Sequence, residues 1–238
     1  MRAIEAANRC DSRPRAWLRH PRILPLILCV TIFFQGWVSA FDPDRLLTHL
    51  RRLGGDASIF TQWRKLIDDA SAMHRTEDKL RRVNEFFDRR IQFTEDQEIW
   101  GQSDYWATPM ETLAKGKGDC EDFTIGKYFT LLNAGVPDDE LRLVYVKARI
   151  GGSNSTIQQA YMVLAWYATP DAEPLVLDNL IVDIRPASRR ADLTPVFSFN
   201  SQGIWQGNTP TGAPTPGGIG RLSRWQDLLR RARLEGFD

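Results

Sequence analysis

Apolar residues in the N-terminal part of the chain recur at helical spacing, and glycine and proline mark where the helices end. An Asp-Pro-Asp sequence at 42–44 is typical of a helix start, and a glycine pair at 54–55 of a helix end. Apolar positions return every three or four residues over 59–90 and again over 120–133, before a stop at 133–137 that contains glycine and proline. The pattern therefore predicts a helical first part of the domain.

The segment between these helical regions, residues 97–118, contains three glycines and one proline and is predicted to be a loop. It also contains Trp100, Tyr105 and Trp106. Because burial of aromatic side chains away from water is favourable, we expect this loop to pack against the domain and to line a cleft.

Alternating and β-branched apolar residues replace the helical pattern after position 140. Three runs, at 141–149, 160–168 and 175–184, are typical of strands, and the connection at 168–174 predicts a hairpin between the second and the third. Helices followed by a cysteine-bearing helix and an antiparallel sheet predict an α+β domain. We assign this domain to residues 41–206.

The C-terminal part of the chain has a different composition. Residues 207–220 are rich in glycine, proline and threonine, which predicts a flexible linker. Beyond it, Leu222, Trp225, Leu228 and Leu229 are spaced for one face of a helix. We expect residues 221–238 to form a short amphipathic helix that docks back on the domain.

The N-terminus begins with an arginine-rich segment, continues as an apolar run at 23–34, and then has small residues at 38 and 40. This order is typical of a secretory signal peptide over residues 1–40, with cleavage after Ala40. The apolar run is shorter than the roughly 20 residues that span a bilayer, so no stable membrane span is expected after cleavage. The alternative is an N-terminal anchor that is not cleaved.

Export changes the balance of charges and cysteines. The first 40 residues hold six arginines and two acids, so the rest of the chain has a slight excess of acids and lacks the basic character typical of nucleic-acid binding. Cys10 and Cys29 lie in the signal, which leaves Cys120 as the single thiol. A lone thiol in an oxidising compartment indicates either burial or chemical use.

Cys120 lies in the first turn of the helix predicted over 120–133. Free backbone N–H groups and the helix dipole favour a thiolate at this position, whereas burial as a small apolar residue would not require it. The helix end contributes about 0.3 to 1 kcal/mol, which lowers a thiol pKa by less than one unit. A nucleophilic Cys120 therefore needs a base or a cation in addition.

Three carboxylates, those of Asp119, Glu121 and Asp122, adjoin the thiol and by themselves would raise its pKa. Oxygen ligands this close together suit Ca²⁺, which would neutralise them and tighten the loop that enters the helix. Acids are also common at helix starts without any metal, and spacing alone favours this ordinary capping role.

Four short sequences carry a resemblance to a known family. They are a Trp-Gly pair at 100–101, Asp-Tyr-Trp-Ala-Thr-Pro at 104–109, Gly-Asp-Cys-Glu-Asp-Phe at 118–123 and Leu-Asp-Asn at 177–179. Together they resemble the LapG-type peptidases, which are also called bacterial transglutaminase-like cysteine proteinases. The likeness covers most of residues 41–205, and residues 222–237 resemble the C-terminal helix of that family.

The resemblance implies a papain-like or transglutaminase-like core in which the cysteine-bearing helix packs on the antiparallel sheet. Cys120 matches the nucleophile of the family, and Asp178 matches the acid that orients the catalytic histidine. The resemblance also implies that Asp119, Glu121 and Asp122 are Ca²⁺ ligands, which reverses the interpretation based on spacing.

Members of the family are periplasmic, calcium-dependent cysteine endopeptidases that cleave the N-terminal region of a large surface adhesin and so control biofilm release. The resemblance therefore implies an adhesin as protein substrate and an inner-membrane cyclic-di-GMP receptor as partner. A transglutaminase-type acyl transfer would use the same thiol and aspartate, and the sequence leaves it open.

Tyr161 stands where the family carries its catalytic histidine, and no histidine follows Cys120; His49 and His74 lie in the helical N-terminal part. An ordinary phenol, with a pKa near 10, supplies about one phenolate in a thousand at pH 7, whereas imidazole titrates near 6.5. We expect a chain badly impaired in catalysis. The alternatives are partial substitution by Ca²⁺ and the helix end, a pseudopeptidase that only binds adhesin or receptor, and a copy altered by one nucleotide change.

Overall fold

The computed structural model describes residues 41–207, 218 and 222–237. The predicted signal peptide at 1–40 and most of the predicted linker at 207–220 lie outside the described residues. Within the described part of the chain, no helix combines the length and the apolar character needed to cross a membrane.

Helices dominate residues 41–133, and one further helix follows the sheet in the described chain. The α-helices of the described chain are α1 (Pro43–Arg52), α2 (Ala57–Ser71), α3 (Thr76–Arg90), α4 (Asp96–Trp100), α5 (Pro109–Lys115), α6 (Cys120–Asn133) and α7 (Ser223–Glu235). Single 3-10 turns lie at Asp138–Glu140 and Ala187–Arg189.

The described strands form one small parallel pair and one larger antiparallel sheet. Their bounds are β1 (Gln92–Phe93), β2 (Lys117–Gly118), β3 (Leu141–Arg149), β4 (Gln158–Trp166), β5 (Leu175–Leu177), β6 (Arg185–Pro186), β7 (Leu193–Phe199) and β8 (Ile204–Gln206). Strands β1 and β2 pair in parallel. The larger sheet has the order β6-β5-β4-β3-β7-β8, with every neighbouring pair antiparallel. The predicted α+β class is confirmed.

Helix α6 lies between the other helices and the sheet and is buried along most of its length. Asp119 caps its first turn, since the carboxylate accepts the N–H of Glu121 at 3.2 Å. Gly126 lets the ring of Phe87 approach the α6 backbone, because an added Cβ would lie 2.3 Å from Phe87 Cε1. These contacts hold the N-terminus of α6, and with it Cys120, in a fixed place.

The predicted loop at 97–118 is only partly a loop, because α5 begins inside it. Helix α5 starts with a capping box in which Thr108 Oγ1 accepts the N–H of Glu111 at 3.2 Å and Glu111 Oε2 accepts the N–H of Thr108 at 2.8 Å. Pro109 is the first helical residue, where a missing N–H costs no hydrogen bond. The proline therefore starts a helix rather than marking a loop.

The first two predicted strands are confirmed as β3 and β4, but the third, at 175–184, is too long. Strand β5 ends at Leu177, because Asp178 Oδ1 accepts the N–H of Ile181 at 2.7 Å and the chain turns. Strands β7 and β8 were not predicted. Pro195 interrupts the donor pattern of β7, and prolines inside a run weaken any strand prediction.

The predicted C-terminal helix is present as α7. Its apolar face docks on the domain, with Trp225 and Leu228 fully buried. The ring of Trp225 meets that of Phe199 on β7 at 5.2 Å in an edge-on arrangement. Helix α7 is therefore part of the core.

Candidate active site

Cys120 lies where the start of α6 meets an open edge of strand β4. Strand β5 pairs with β4 only from Leu164 onward, so the backbone of Met162 has no strand partner on that side. Helix α6 fills the gap. Thr124 Oγ1, on the first turns of α6, donates to the Cys120 carbonyl at 2.8 Å and to the Met162 carbonyl at 3.1 Å.

The thiol of Cys120 is buried among negative charges. Its S–H donates to Glu121 Oε2 at 2.7 Å. Burial raises the pKa of this thiol well above its usual value, and the charges of Glu121 and Asp119 raise it further. The N–H of Met162 acts in the opposite direction. In this arrangement the sulfur holds its proton.

Tyr161 precedes Met162 on β4, and its side chain is buried. Its hydroxyl donates to Asn179 Oδ1. Burial raises the pKa of Tyr161 above its ordinary value, and the neighbouring charges of Asp178 and Cys120 add to this rise. A phenol whose pKa is raised in this way is a poorer base at neutral pH than a free tyrosine.

Asp178 lies directly after β5, in the turn described above. Its Oδ2 forms a fully buried ion pair with Nη1 of Arg190. Arg190 also binds Asp192, with Nη2 2.8 Å from Asp192 Oδ2. The carboxylate expected to orient a catalytic base is therefore engaged with an arginine.

A second cluster of acids lies beside the thiol, on the side of the aromatic segment. Asp96, Asp119 and Asp122 are buried, and one carboxylate oxygen of each lies within 4.8 Å of those of the other two. Burial, followed by the charge of Asp119, raises the pKa of Asp96 to about 7. Burial, followed by the charge of Glu121, raises the pKa of Asp119 to about 8. These shifts describe mutually repelling carboxylates.

Two oxygens of this acidic cluster are unsatisfied. Asp96 Oδ1 and Asp122 Oδ2 are buried and accept no hydrogen bond from the residues that the structure describes. Buried oxygens without donors are costly, and a hard divalent cation is the partner that carboxylates of this kind prefer. Asp96, Asp119 and Asp122 could thus hold a metal ion. Glu121 points at the thiol and belongs to a second group with Asp119 and Cys120.

The family comparison agrees with this cysteine-centred geometry. A sequence model of the family described as bacterial transglutaminase-like cysteine proteinases matches residues 62–193. The chain belongs to this family.

Solved structures of LapG of Legionella pneumophila are similar to this chain over 80% of its length. The calcium-bound LapG structure is 40% identical, with 98% of its own chain covered and a TM-score of 0.66. A second LapG structure is 38% identical with 97% covered and a TM-score of 0.65, and an EGTA-treated one is 39% identical with 97% covered and a TM-score of 0.67. No curated protein matches the chain.

The imidazoles of this proteinase-family chain that the structure describes lie away from the thiol environment. His49 on α1 has Nε2 3.1 Å from Glu235 Oε1, and burial lowers its pKa. His74 is exposed between α2 and α3. Neither is among the groups whose charge acts on Cys120.

Fold and sequence thus bring the expected site residues of this cysteine proteinase family to two adjoining places. Cys120 and Asp178 both act on the pKa of Tyr161, so these three residues share one neighbourhood. The predicted metal ligands Asp119 and Asp122 adjoin it, together with Asp96.

Sequence reasoning missed Asp96 and Arg190. Asp96 reaches Asp119 because the parallel pair of β1 and β2 sets the two following helices side by side, with Phe93 opposite Gly118. Two-residue strands leave no readable hydrophobic pattern. Arg190 follows the turn that begins at Asp178, which was not predicted. The only signal for its role was the general need of a buried carboxylate for a cation.

Proposed function

We propose that this chain is an exported, calcium-binding member of the family that binds the N-terminal region of a large surface adhesin and cleaves it far more slowly than a histidine-bearing member. One observation carries the proposal. The residue that precedes Met162 on β4, where Thr124 of α6 binds the Met162 carbonyl, is Tyr161 and not a histidine.

Peptide hydrolysis by a thiol needs a base and then an acid. The Cys120 sulfur must lose its proton to attack the carbonyl carbon, and the leaving amine must gain a proton when the C–N bond breaks. The ordinary pKa of a phenol lies about 3.5 units above that of an imidazole, which corresponds to nearly 5 kcal/mol in proton affinity. The buried position of Tyr161 widens this gap. Tyr161 therefore cannot take the thiol proton at an efficient rate.

The described site offers one other proton acceptor, Glu121, whose Oε2 accepts the S–H of Cys120. A proton transfer from the thiol to Glu121 supports slow cleavage at most, because the charges of Glu121 and Asp119 disfavour the thiolate. Asp178 does not replace the missing base, since Arg190 holds its carboxylate.

We propose Ca²⁺ as the ion for the acidic cluster formed by Asp96, Asp119 and Asp122. Two of its buried oxygens lack donors, and one relative of this chain has been solved as a calcium-bound structure and as an EGTA-treated structure. When bound, Ca²⁺ would supply positive charge that offsets the carboxylates and fixes the segment entering α6. Glu121 remains a candidate ligand from the sequence resemblance.

The proposed location, substrate and partner follow from family membership and from the signal-like sequence at 1–40. A cysteine proteinase family implies a protein substrate. We further propose that the protein acts in the periplasm, that its substrate is a surface adhesin and that its partner is an inner-membrane cyclic-di-GMP receptor. Cleavage of the adhesin would control biofilm release.

Binding and cleavage should be measured separately on an adhesin N-terminal fragment in saturating Ca²⁺. We expect the unmodified chain and Cys120→Ala to bind the fragment with similar affinity, while cleavage by the unmodified chain is slow and Cys120→Ala shows none. Absence of binding by both proteins would contradict the proposed substrate. Cleavage as fast as that of a histidine-bearing relative would contradict the proposed impairment.

A further inference from the structure

Residues 104–108, named the strap below, form a segment outside any helix or strand that lies between the acidic cluster and helix α7. On one side the strap donates backbone N–H groups to the cluster. The N–H of Tyr105 donates to Asp96 Oδ2 at 2.5 Å, and the N–H of Ala107 donates to Asp122 Oδ1 at 2.8 Å. Two of the three cluster carboxylates are thus oriented by the strap.

On its other side the strap presents its carbonyl groups to α7. Arg224 Nε donates to the carbonyl of Asp104 at 3.0 Å, and Arg231 Nη2 donates to the carbonyl of Trp106 at 2.5 Å. Two arginines of α7 and two carboxylates of the cluster therefore hold opposite edges of one segment.

Side chains reinforce the contact between the strap and α7. Arg224 Nη2 lies 2.8 Å from Asp104 Oδ2, and the guanidinium of Arg231 lies 4.7 Å from the centre of the Tyr105 ring. At the end of the strap, Thr108 Oγ1 donates to Glu235 Oε1 at 2.7 Å.

The strap also contains a residue in an uncommon backbone conformation. Asp104 has φ +58°, a left-handed value that is uncommon outside glycine although aspartate tolerates it best. Such a conformation persists when surrounding contacts fix it. Arg224 binds both the carbonyl and the carboxylate of Asp104, so α7 supplies those contacts.

We propose that Arg224 and Arg231 are positioning residues for the cation cluster, and that α7 acts as a clamp that sets its Ca²⁺ affinity through the strap. The inference rests on the proposed calcium site. A docked α7 holds the amides of Tyr105 and Ala107 toward Asp96 and Asp122, so the carboxylates are oriented before the ion arrives. Linkage is reciprocal, so bound Ca²⁺ also tightens the docking of α7.

The direct test is the Ca²⁺ affinity of the full chain measured by isothermal titration calorimetry. Arg224→Ala removes both contacts to Asp104 and should weaken Ca²⁺ binding about fivefold or more, the lower end of usual coupling between sites. Arg230→Ala is the matched control, because Arg230 lies on the same helix, is similarly exposed and pairs with Asp227 alone among the described residues. Its affinity should stay within about twofold of the unmodified chain.

The outcomes separate this inference from the proposed function. If the unmodified chain binds no Ca²⁺, the calcium part of the proposed function fails and the clamp fails with it. If the unmodified chain binds Ca²⁺ and Arg224→Ala binds it equally well, the clamp alone is overturned.

A second measurement needs no substitution and covers the case in which a variant does not fold. Hydrogen exchange of the unmodified chain should slow in α7 and in the amides of Tyr105 and Ala107 when Ca²⁺ is added. Exchange of helix α2, whose buried Trp63 donates to Thr130 and not to the strap, serves as the internal reference. Slowing in the strap with no change in α7 would overturn the coupling.

Discussion

Thr124 Oγ1, one turn after Cys120 on α6, donates to the carbonyl of Met162 at 3.1 Å, across the edge of β4 that β5 leaves open. This hydrogen bond holds the start of α6 against β4 beside Tyr161, whose pKa the charge of Cys120 helps to raise. We propose that Cys120 is the nucleophile of this site and that the phenol of Tyr161 stands where the family has its base.

Asp122→Asn should stabilise the calcium-free protein and should reduce the stabilisation that calcium gives. The substitution removes one of three repelling carboxylates and keeps an Oδ1 that can accept the N–H of Ala107. Without Ca²⁺ we expect Asp122→Asn to melt at a higher temperature than the unmodified chain. Adding Ca²⁺ should raise the melting temperature of Asp122→Asn less than that of the unmodified chain. Thermal unfolding in EGTA and in Ca²⁺ measures both effects. Asp139→Asn, at an exposed position, should change neither, and an unaltered calcium response of Asp122→Asn would remove this residue from the site.

Glu235 should make the protein less stable as pH rises. Burial raises the pKa of this carboxyl from 4.5 to about 8. Between these values the unfolded chain releases a proton that the folded chain keeps, so this contribution to stability is full below about pH 4.5 and is lost as pH rises through about 8.

Glu235→Gln tests this contribution because the amide has no charge and its oxygen can still accept from Thr108. The free energy of unfolding, measured with urea from about pH 6 to 8.5, should fall less steeply with pH in Glu235→Gln than in the unmodified chain. Parallel profiles for the two proteins would show that Glu235 titrates as it does in the unfolded chain.

Arg190 should be more important for stability than any exposed arginine. Its ion pair with Asp178 is fully buried, and Arg190→Met would leave that carboxylate without its cation. Removing one partner of a buried pair costs about 3 to 5 kcal/mol. Arg189→Met, at the exposed neighbouring position, should cost less than about 0.5 kcal/mol. Chemical unfolding measures both, and equal losses would mean that the pair contributes little.

The helical half of the fold and the position of Cys120 could be predicted because they depend on local patterns. The apolar spacing, the glycine-proline stop and the Asp119 cap all belong to α6 or to its two ends, and α6 carries the thiol. The early end of β5 could not, since it depends on a side-chain hydrogen bond to the backbone at Asp178. The helix start at Pro109 was missed although Thr108, Pro109 and Glu111 form a capping box that is readable in the sequence.

The candidate metal cluster was only half visible in the sequence. Asp119 and Asp122 adjoin the cysteine, and family resemblance selected them. Asp96 joins them through a parallel pairing of two short strands, which is a long-range contact with no local signal. Glu121 was grouped with the ligands by the same resemblance, and in the structure its carboxylate accepts the S–H of Cys120.

We propose that the phenol of Tyr161 stands in the place of the catalytic base, and the substitution Tyr161→His measures what that phenol costs. Initial rates of cleavage of the adhesin fragment should be compared for the unmodified chain and for Tyr161→His at pH 7 in Ca²⁺, with Tyr161→Phe as the control. A general base contributes about 10²- to 10⁴-fold, so Tyr161→His should gain at least about a hundredfold while Tyr161→Phe gains nothing. A properly folded Tyr161→His that cleaves no faster than the unmodified chain would contradict the proposal that Tyr161 replaces the catalytic base.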